Sequence, residues 1–474
     1  MKSIIITVLV LGLSYINGLS QTDLRSLSEQ ELIQIVKLYH PIAQQATVGV
    51  AMAKTEVTEA RGAFDPLLQG NANQKVLGGN LYYNYQQAEL RIPTWYGIEL
   101  NSGIENITGG NTDPQRTLNA SSYAGVSFSV GKNMIIDKRR GALQQAKIMV
   151  DYSETERLAI LNDLLYDALT QYWTWVQAYR EWRIINEVVE VNKQRVALTK
   201  NVVAIGERPA IDSVEAITQL QYYLGLQLDL YNQVQNALLQ LSTFTWKADT
   251  EPYLLPSNLI PSSNATLEAD SIEPFVFNQE ELIQMAIQNH PDLALYNLKF
   301  KYLDIEKRVK FQELLPELKV KYNQIGKSFN IAESMAQPLL QNNYQYGLSL
   351  AMPLRLSQAR AGYQQTKLKI QTTGYQQDLK RLSIENKIRE YLNTLQNLSQ
   401  QIQLQKSLFT NLNTLVKGEQ TRFEIGESSL FLINSREQKS IETRQKLNAT
   451  IAKYYKQRAS IRWAAGLLSQ PDAK

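Results

Sequence analysis

The chain repeats itself, and this internal duplication constrains the fold more than any other feature of its 474 residues. Glu31–Gln34 (Glu-Leu-Ile-Gln) recurs as Glu281–Gln284, 250 positions later. The dipeptide His40–Pro41 recurs as His290–Pro291 at the same offset, and no gap is needed between the two matches. The chain therefore carries two copies of one ancestral segment.

Further along the chain the offset between the copies falls to 220 positions. Gln144–Lys147 matches Gln364–Lys367, and Ile205–Glu207 matches Ile425–Glu427. The first copy thus holds about thirty extra residues between the two groups of matches. Solenoid repeats have periods of about 20–50 residues, so a unit of about 200 residues predicts two equivalent halves of one body.

Each half reads as a helix, strands, a long helix, a turn and a further helix. An uninterrupted helical pattern begins at Met134 and runs for about 70 residues, which corresponds to roughly 100 Å at 1.5 Å per residue. Within it, Leu161, Leu164, Leu165 and Ala168 form the stripe of a packed helix. Helices of this length pack side by side, as in coiled coils. The predicted organisation is a signal peptide at 1–20, a first repeat at 21–250 (helices 28–63 and 134–248, strands within 66–132), a proline-rich connector at 251–277 and a second repeat at 278–474 (helices 278–314 and 356–468, strands within 316–354).

Between the helices the periodicity changes from 3.6 to 2. Segments of about ten residues with one apolar and one polar face are typical of transmembrane barrel strands. Half-buried strands of a soluble sheet alternate in the same way, so periodicity alone leaves both interpretations open. Four such strands per chain are too few to enclose water, so several chains would share one barrel. The predicted lipid-facing side chains are Val126, Phe128, Val130, Leu318, Val320, Tyr322, Tyr344, Tyr346, Leu348 and Leu350.

The beginning of the chain favours export. Met1 and Lys2 give a small positive region, Ile4–Leu13 is apolar, and Gly18–Ser20 supplies small residues before a predicted cleavage at Gln21. Beyond residue 20, no stretch approaches the ~20 apolar residues of a membrane-spanning helix. Together these observations favour the barrel interpretation of the strands, because a membrane can otherwise be crossed only by helices.

Composition excludes several classes of function. The 49 basic and 45 acidic residues nearly balance, so a nucleic-acid partner is not expected. The absence of cysteine excludes disulfides, thiolate metal sites and lipidation of an N-terminal cysteine. The two histidines, His40 and His290, precede prolines at equivalent positions, which predicts a capping or packing role. No catalytic arrangement, metal site or cofactor motif is recognised, so neither an enzyme nor a cofactor is predicted.

Taken in order, the repeated motifs resemble the TolC-like outer-membrane efflux protein family. The motifs that show this resemblance are the two Glu-Leu-Ile-Gln and His-Pro segments, Ala60–Pro66 before the first strand, and Thr421–Glu427 after the second long helix. The resemblance implies a mainly α-helical fold with a membrane β-barrel: a homotrimer whose twelve-stranded barrel, four strands from each chain, continues into a periplasmic α-helical barrel. The extra segments between Leu77 and Asn119 depart from this strand count.

The resemblance also implies a function and partners. Such proteins are passive exit channels of tripartite efflux or type I secretion systems in the outer membrane of Gram-negative bacteria. They dock a periplasmic adaptor and an inner-membrane exporter of the resistance-nodulation-division or ABC type, and they sit in outer-membrane lipid. The residues expected to dock the adaptor lie at the two turns after the long helices: Ile205, Gly206, Glu207, Arg422, Phe423, Ile425, Gly426 and Glu427.

Two carboxylates just beyond the first turn have two interpretations. In a trimer, Asp212 and Glu215 would form a charged ring that gates the pore and selects cations. Alternatively, Asp212-x-x-Glu215 is a variant of a helix capping box. Leu432 and Ser435 stand at the corresponding positions of the second repeat, so an acidic constriction would come from the first repeat alone.

Three further classes of protein compete with the channel. A periplasmic adaptor also combines helical hairpins with β-structure, but it would carry one hairpin rather than two complete helix–strand–helix units. An exported enzyme is disfavoured because no nucleophile–base arrangement, metal-spaced cluster or phosphate loop is recognised, and a helical surface protein is the third alternative. Release with the periplasmic contents would indicate an adaptor or enzyme, whereas fractionation with the outer membrane would indicate a channel.

Overall fold

The computed structural model describes residues 26–110, 116–262 and 278–470. The predicted signal peptide and most of the proline-rich connector, 263–277, lie outside these residues. The chain divides into two units. The first unit contains described residues up to Gln44, Ile160–Ala286 and Ile384 onward, and the second contains Gln45–Ala159 and Ile287–Ser383.

Each repeat begins with a short helix and a longer one. Helices α1 (Glu29–Tyr39) and α2 (Pro41–Gly62) open the first repeat, and α5 (Gln279–Asn289) and α6 (Pro291–Gln312) open the second. Each of the helical regions expected over 28–63 and 278–314 is thus divided once, at the residue before proline, where the α conformation is disfavoured.

The two histidines cap the helices that follow them. The backbone N–H of Ile42 donates to Nδ1 of His40 at 3.2 Å, and the N–H of Asp292 donates to Nδ1 of His290 at 3.2 Å. Both histidines are buried, at 7% and 8% exposure. The predicted structural role is confirmed, since a neutral imidazole nitrogen satisfies a backbone donor that has no partner within the helix.

The long helices are α3 (Lys138–Ala204) and α8 (Ser357–Glu424), with 67 and 68 residues. They are followed by α4 (Ala210–Ser242) and α9 (Leu430–Ala464). Helix α3 begins four residues later than the expected Met134, because Asp137 caps it: the N–H of Arg140 donates to Oδ1 of Asp137 at 2.8 Å. Across the described residues, no helix combines the length and the apolar character needed to cross a bilayer.

The first unit has an aromatic core built on α3. The predicted stripe residues Leu161, Leu164, Leu165 and Ala168 are all buried in this core. Trp173 stacks on Tyr455 of α9 with ring centroids 4.1 Å apart and planes 6° from parallel. Tyr172 donates from its hydroxyl to the carbonyl of Leu27, at 3.1 Å. Leu27 belongs to β1 (Ser26–Leu27), which pairs in parallel with β6 (Ile260–Pro261).

Among its described residues, the second unit contains one antiparallel sheet of six strands. These are β2 (Leu67–Leu77), β3 (Asn80–Pro93), β4 (Ile98–Thr108), β5 (Asn119–Gly131), β7 (Glu317–Gly326) and β8 (Tyr344–Ala351), in the spatial order β2-β3-β4-β5-β7-β8. A short helix, α7 (Ile331–Ala336), lies in the β7–β8 connection. The two repeats meet where β5 pairs with β7, with Gly131 opposite Glu317 and Val126 opposite Tyr322.

The strand count of six differs from the four per chain that the resemblance implies. Strand β7 begins at Glu317, 250 positions after Leu67 at the start of β2, and β8 ends at Ala351, 220 positions after Gly131 at the end of β5. Strands β2 and β5 therefore have equivalents in the second repeat. The hairpin β3–β4 fills the thirty-residue difference between the two offsets, so it is an insertion into the first repeat.

Candidate functional site: a polar sheet face and two helical turns

The six-stranded sheet has two chemically distinct faces, set by the alternation of side chains along each strand. We call one the polar face; strand by strand, its members include Gln69, Asn71, Asn73, Gln87, Glu89, Arg91, Glu99, Asn101, Glu105, Ser121, Tyr123, Ser127, Lys319, Lys321, Asn323 and Ser349. We call the other the apolar face; it includes Leu68, Leu90, Ile98, Leu100 and Ile104 together with all ten side chains predicted to face lipid.

Burial on this sheet runs opposite to that of a soluble sheet. In the central strands, Asn101, Ser121 and Tyr123 of the polar face are 6%, 0% and 6% exposed. Their apolar neighbours Leu100 and Phe128 are 42% and 39% exposed. A soluble protein buries the apolar face of a sheet against its core. Here the polar side chains pack on one another and the large apolar ones point outward.

Two glycines of the polar face allow side chains two strands apart to meet. Asn101 of β4 and Asn323 of β7 both lie opposite Gly125 of β5. Asn101 donates from Nδ2 to Oδ1 of Asn323 at 2.8 Å. A Cβ at Gly125 would lie 2.3 Å from Oδ1 of Asn323, so the hydrogen bond requires glycine there. This bond connects the two repeats across the strand between them.

Gly103, which lies between Glu89 and Tyr123 on the polar face, likewise lets side chains two strands apart meet. The ring of Tyr123 covers Gly103, and its hydroxyl donates to Oε2 of Glu89 at 2.9 Å. Gln87 donates from Nε2 to the same hydroxyl at 2.7 Å. This network buries the Glu89 carboxylate with its hydrogen-bonding capacity used, as a buried charge requires.

Charge on the polar face is balanced. The carboxylates Glu89, Glu99, Glu105 and Glu317 accompany the cations Lys75, Arg91, Lys319 and Lys321. Several are paired locally: Arg91 lies 3.3 Å from Glu89, and Glu99 accepts from Arg139 at 2.8 Å. Such a surface is well hydrated and carries no large field of one sign.

The inserted hairpin is anchored at its turn. Trp95, between β3 and β4, stacks on Phe64 with ring centroids 4.3 Å apart. The turn also needs Gly97, whose φ is 82°. Tyr96 lies in the same turn and is 84% exposed.

The turns between the long helices and their successors have matching geometry. Gly206 and Gly426 have φ of 81° and 80°. In the first turn the N–H of Glu207 donates to the carbonyl of Val202, and in the second the N–H of Glu427 donates to the carbonyl of Arg422. Both turns are thus Schellman motifs, in which a left-handed residue ends a helix and satisfies its last carbonyls.

Arg208 connects the two turns. Its guanidinium stacks on the Phe423 ring at 3.5 Å and donates from Nη2 to the Phe423 carbonyl at 2.7 Å. It also lies 3.4 Å from Oδ2 of Asp212. Arg208 was missed from the sequence, because its partner lies 215 positions away and the position equivalent to Arg208 in the second repeat is Ser428.

The capping-box interpretation of Asp212 and Glu215 is wrong. Helix α4 begins at Ala210 after Pro209, which makes no side-chain cap, so Asp212 lies inside the first turn. Asp212 pairs with Arg208, and Oε1 of Glu215 accepts from Nδ2 of Asn434 at 3.0 Å. Both carboxylates therefore hold α4 against the second turn and the start of α9.

A second acidic centre near the turns was also missed. Glu419 of α8 is 4% exposed, accepts from the Ser428 hydroxyl at 2.5 Å and from Nε of Arg436 at 2.7 Å. These bonds from Ser428 and Arg436 lower the pKa of the Glu419 carboxyl. Its Ser428 partner stands where the first repeat has Arg208, so the two turns are held by different chemistry.

The chain is similar to solved outer-membrane channels. It superposes on CusC with a TM-score of 0.64 and 14% identity, covering 94% of this chain and 95% of that one. For the CmeC outer membrane channel of Campylobacter jejuni, the TM-score is 0.62 at 13% identity, covering 92% and 85%. For the open state of the Neisseria gonorrhoeae MtrE outer membrane channel, it is 0.63 at 13% identity, covering 94% and 90%.

No protein-family model and no curated protein sequence matches the chain. The resemblance drawn from the repeated motifs is nevertheless confirmed at the level of fold. The chain has the fold of TolC-like outer-membrane channels.

Proposed function

We propose that the protein is a passive trimeric exit channel in the outer membrane of a Gram-negative bacterium, with its helices extending into the periplasm. The observation that carries this proposal is the inverted polarity of the six-stranded sheet. In its central strands β3–β5 the apolar face is exposed and the polar face is buried, which suits a wall with lipid outside and water inside. The energy for export would come from a pump, since the channel itself only encloses a path.

Oligomerisation follows from the two ends of the sheet. Strands β2 and β8 form its edges, with no further strand beside either in the part of the chain that the structure describes. Lipid offers no hydrogen-bond partners to an open edge, so a sheet in a membrane must close on itself. The TolC-like fold supports three copies as the closing number.

We further propose that the two turns dock a periplasmic adaptor, which links the channel to an inner-membrane exporter of the resistance-nodulation-division or ABC type. The turns present Ile205 and Ile425 at 69% and 66% exposure, beside the exposed Glu207 and Glu427. Apolar side chains exposed on two matching turns suit a repeated contact with a helical hairpin. Gly206, Arg422, Phe423 and Gly426 shape this docking surface.

Asp212 and Glu215 are proposed to line the periplasmic opening of the pore. Their bonds to Arg208 and Asn434 tie α4 to the second turn, so opening of the channel would require these bonds to break. In this proposal the carboxylates serve as latches in the closed state and as a cation-selective ring in the open state.

Adjacent residues of β5 provide a matched test of the channel. Phe128→Arg places a charge on the apolar face, and Ser129→Arg places the same charge on the polar face. A charge facing mid-bilayer lipid costs about 2–4 kcal/mol, so Phe128→Arg should reduce the outer-membrane yield severalfold. Ser129→Arg should insert normally and form a conducting pore in a planar bilayer.

The channel proposal fails if the purified protein stays monomeric in mild detergent and passes no ions. It also fails if both arginine variants behave alike, because the two faces would then have the same surroundings. For docking, a photo-crosslinker at Ile425 should capture a periplasmic protein with a helical hairpin. The same probe at Leu404, equally exposed but about 30 Å back along α8, should not.

A further inference from the structure

The duplication of the chain predicts how one copy of the protein pairs with the next. Within one chain, the last strand of the first repeat, β5, pairs with the first strand of the second repeat, β7. The equivalent of β5 is β8 and the equivalent of β7 is β2. These two strands are the outer edges of the sheet. We propose that β8 of one copy pairs with β2 of the next copy in the register that β5 and β7 already use.

The register follows from the two repeat offsets. Each residue of β5 is moved forward by 220 positions to its equivalent in β8, and each residue of β7 is moved back by 250 positions to its equivalent in β2. Gly131 opposite Glu317 becomes Ala351 opposite Leu67, and Ser129 opposite Lys319 becomes Ser349 opposite Gln69. Phe128 opposite Val320 becomes Leu348 opposite Gly70. The strand ends coincide with this transfer without adjustment, because β2 begins at Leu67 and β8 ends at Ala351.

Strand direction and face polarity agree with this pairing. All neighbouring strands in the sheet are antiparallel, so β2 and β8, separated by an even number of strands, run in opposite directions. An antiparallel β8–β2 pair is therefore geometrically allowed. In the transferred register, Ser349 and Gln69 both lie on the polar face, and Leu350 and Leu68 both lie on the apolar face. A shift by one residue would mix the faces.

The pairing also determines the width of the barrel. Each copy would contact the next through two different edges. Such contacts form a closed ring when the rotation from one copy to the next divides a full turn into a whole number of steps. The inserted hairpin β3–β4 leaves both edges unchanged, so it adds two strands per copy to the wall. Three copies would supply eighteen strands rather than twelve, six from each chain. Barrel diameter grows roughly linearly with strand number, so the insertion widens the pore by a factor of about 1.5.

The inference rests on the proposed channel function, because it assumes that the sheet closes in a membrane. The chain contains no cysteine, so engineered pairs can be tested in an otherwise clean background. Gln69→Cys with Ser349→Cys places thiols on directly opposite residues, where Cβ atoms lie about 4.5–5.5 Å apart. The control is Gln69→Cys with Gly347→Cys, a diagonal pair on the same face about 7–8 Å apart, too far for a disulfide without movement.

Mild oxidation of outer membranes should convert most of the Gln69→Cys/Ser349→Cys protein into reducible dimers and trimers on a denaturing gel. The Gln69→Cys/Gly347→Cys protein should form at least fivefold less. Preferential linking of the control pair, or no linking of either pair in a protein that still conducts, would overturn the register and leave the channel function intact. A protein that neither links nor conducts would instead count against the channel.

Electron cryomicroscopy of the assembled protein in lipid nanodiscs gives an independent readout of the wall. Eighteen strands in the transmembrane region are expected. A wall of twelve strands, with β3 and β4 folded outside it, would overturn the widening even if β8 and β2 pair as proposed.

Discussion

Asn101 and Asn323 lie 222 positions apart in the chain, yet the side-chain amide of Asn101 donates to the side-chain oxygen of Asn323 across a glycine, at 2.8 Å. The bond joins β4, in the inserted hairpin, to the first strand of the second repeat. Both side chains are buried on the polar face of the sheet. The insertion is thus connected to the duplicated framework by specific polar contacts as well as by the backbone.

Replacing the glycine between these residues should weaken the sheet. In Gly125→Ala the new Cβ would lie 2.0 Å from the carbonyl oxygen of Tyr322, so the strands must shift and the Asn101–Asn323 bond is lost. Leaving buried polar groups unsatisfied costs about 1–3 kcal/mol. Heat dissociation of the detergent-solubilised oligomer, followed on gels, should occur at lower temperature. Gly347→Ala is the control, since its nearest neighbour, Cβ of Lys321, lies 4.0 Å away, and it should behave like the parent protein.

The glycines of the two turns are predicted to be needed for backbone conformation alone. No atom lies within 4 Å of a Cβ built at Gly206, but its φ is 81°. Gly206→Ala should therefore destabilise the protein by about 1–2 kcal/mol, the cost of a left-handed alanine. Gly225 lies inside α4 with equal space, and Gly225→Ala should stabilise by about 0.5–1 kcal/mol. Denaturant unfolding measures both, and a shift of the same sign in the two variants would contradict this account.

A buried ion pair between helices should matter far more than the exposed ones. Arg195 of α3 binds Glu437 of α9 through two bonds of 2.7 and 2.9 Å, and both side chains are 13% exposed. Removing one partner of a buried pair costs about 3–5 kcal/mol, so Glu437→Gln should lower the unfolding midpoint strongly.

The pair Lys193 and Glu190, within α3, is the control for this measurement. These side chains are 51% and 67% exposed and 2.7 Å apart, so Glu190→Gln should change stability by less than about 0.5 kcal/mol. Similar losses in Glu437→Gln and Glu190→Gln would mean that burial does not strengthen the Arg195–Glu437 contact.

Stability of the first unit should fall in mild acid because of His40. Burial lowers the pKa of this imidazole below its ordinary value of 6.5, opposed by a hydrogen bond to the backbone of Thr243. The folded state therefore favours the neutral form, whose Nδ1 accepts from Ile42. The stabilisation is fully present above pH 6.5 and is lost as the pH falls from there through the lowered pKa.

His40→Asn keeps a capping acceptor but does not titrate. The difference in thermal midpoint between parent and variant should therefore shrink, or reverse in favour of the variant, between pH 7.5 and 5. A difference that stays constant over this range would show that protonation of His40 does not contribute to the loss of stability in acid.

The proposed gate has its own measurement. Asp212→Asn combined with Glu215→Gln removes the ion pair with Arg208 and weakens the bond to Asn434. In a planar bilayer the double variant should open more readily and show reduced preference for cations. Ser213→Ala, one residue along the same helix, serves as the control. Unchanged conductance and selectivity in the double variant would show that neither carboxylate lines the pore.

Much of the fold was predictable because it depends on periodicity. Helices α8 and α9 lie within the helical region expected over 356–468, since a 3.6-residue pattern sustained for 68 residues leaves little freedom. The ten side chains predicted to share one strand face do share it, because alternation needs only the strand itself. The helix start at Pro41 follows from the His40–Pro41 dipeptide, because proline is favoured at the first position of a helix.

The candidate site was less predictable. The turns at Gly206 and Gly426 were found through their repeated sequence, but the roles of Arg208, Asn434 and Glu419 were not. Their partners lie far away in the chain or differ between the repeats, so neither periodicity nor duplication indicates them. The capping-box alternative for Asp212 arises because its spacing to Glu215 imitates a capping box, whereas helix α4 begins at Ala210, directly after Pro209.

By itself, the sequence determined the duplication, the long helices, the alternation of the strands and an excess of about thirty residues in the first copy. These features are local or periodic, so they can be recognised without knowledge of which residues are in contact. Only the tertiary structure decided that the excess is a hairpin inside the sheet, that β5 meets β7, and that Asn101 reaches Asn323. Such pairings depend on which strand edges meet in space, and closing a loop of two hundred residues costs little more than closing a short one, so chain distance gives no guide.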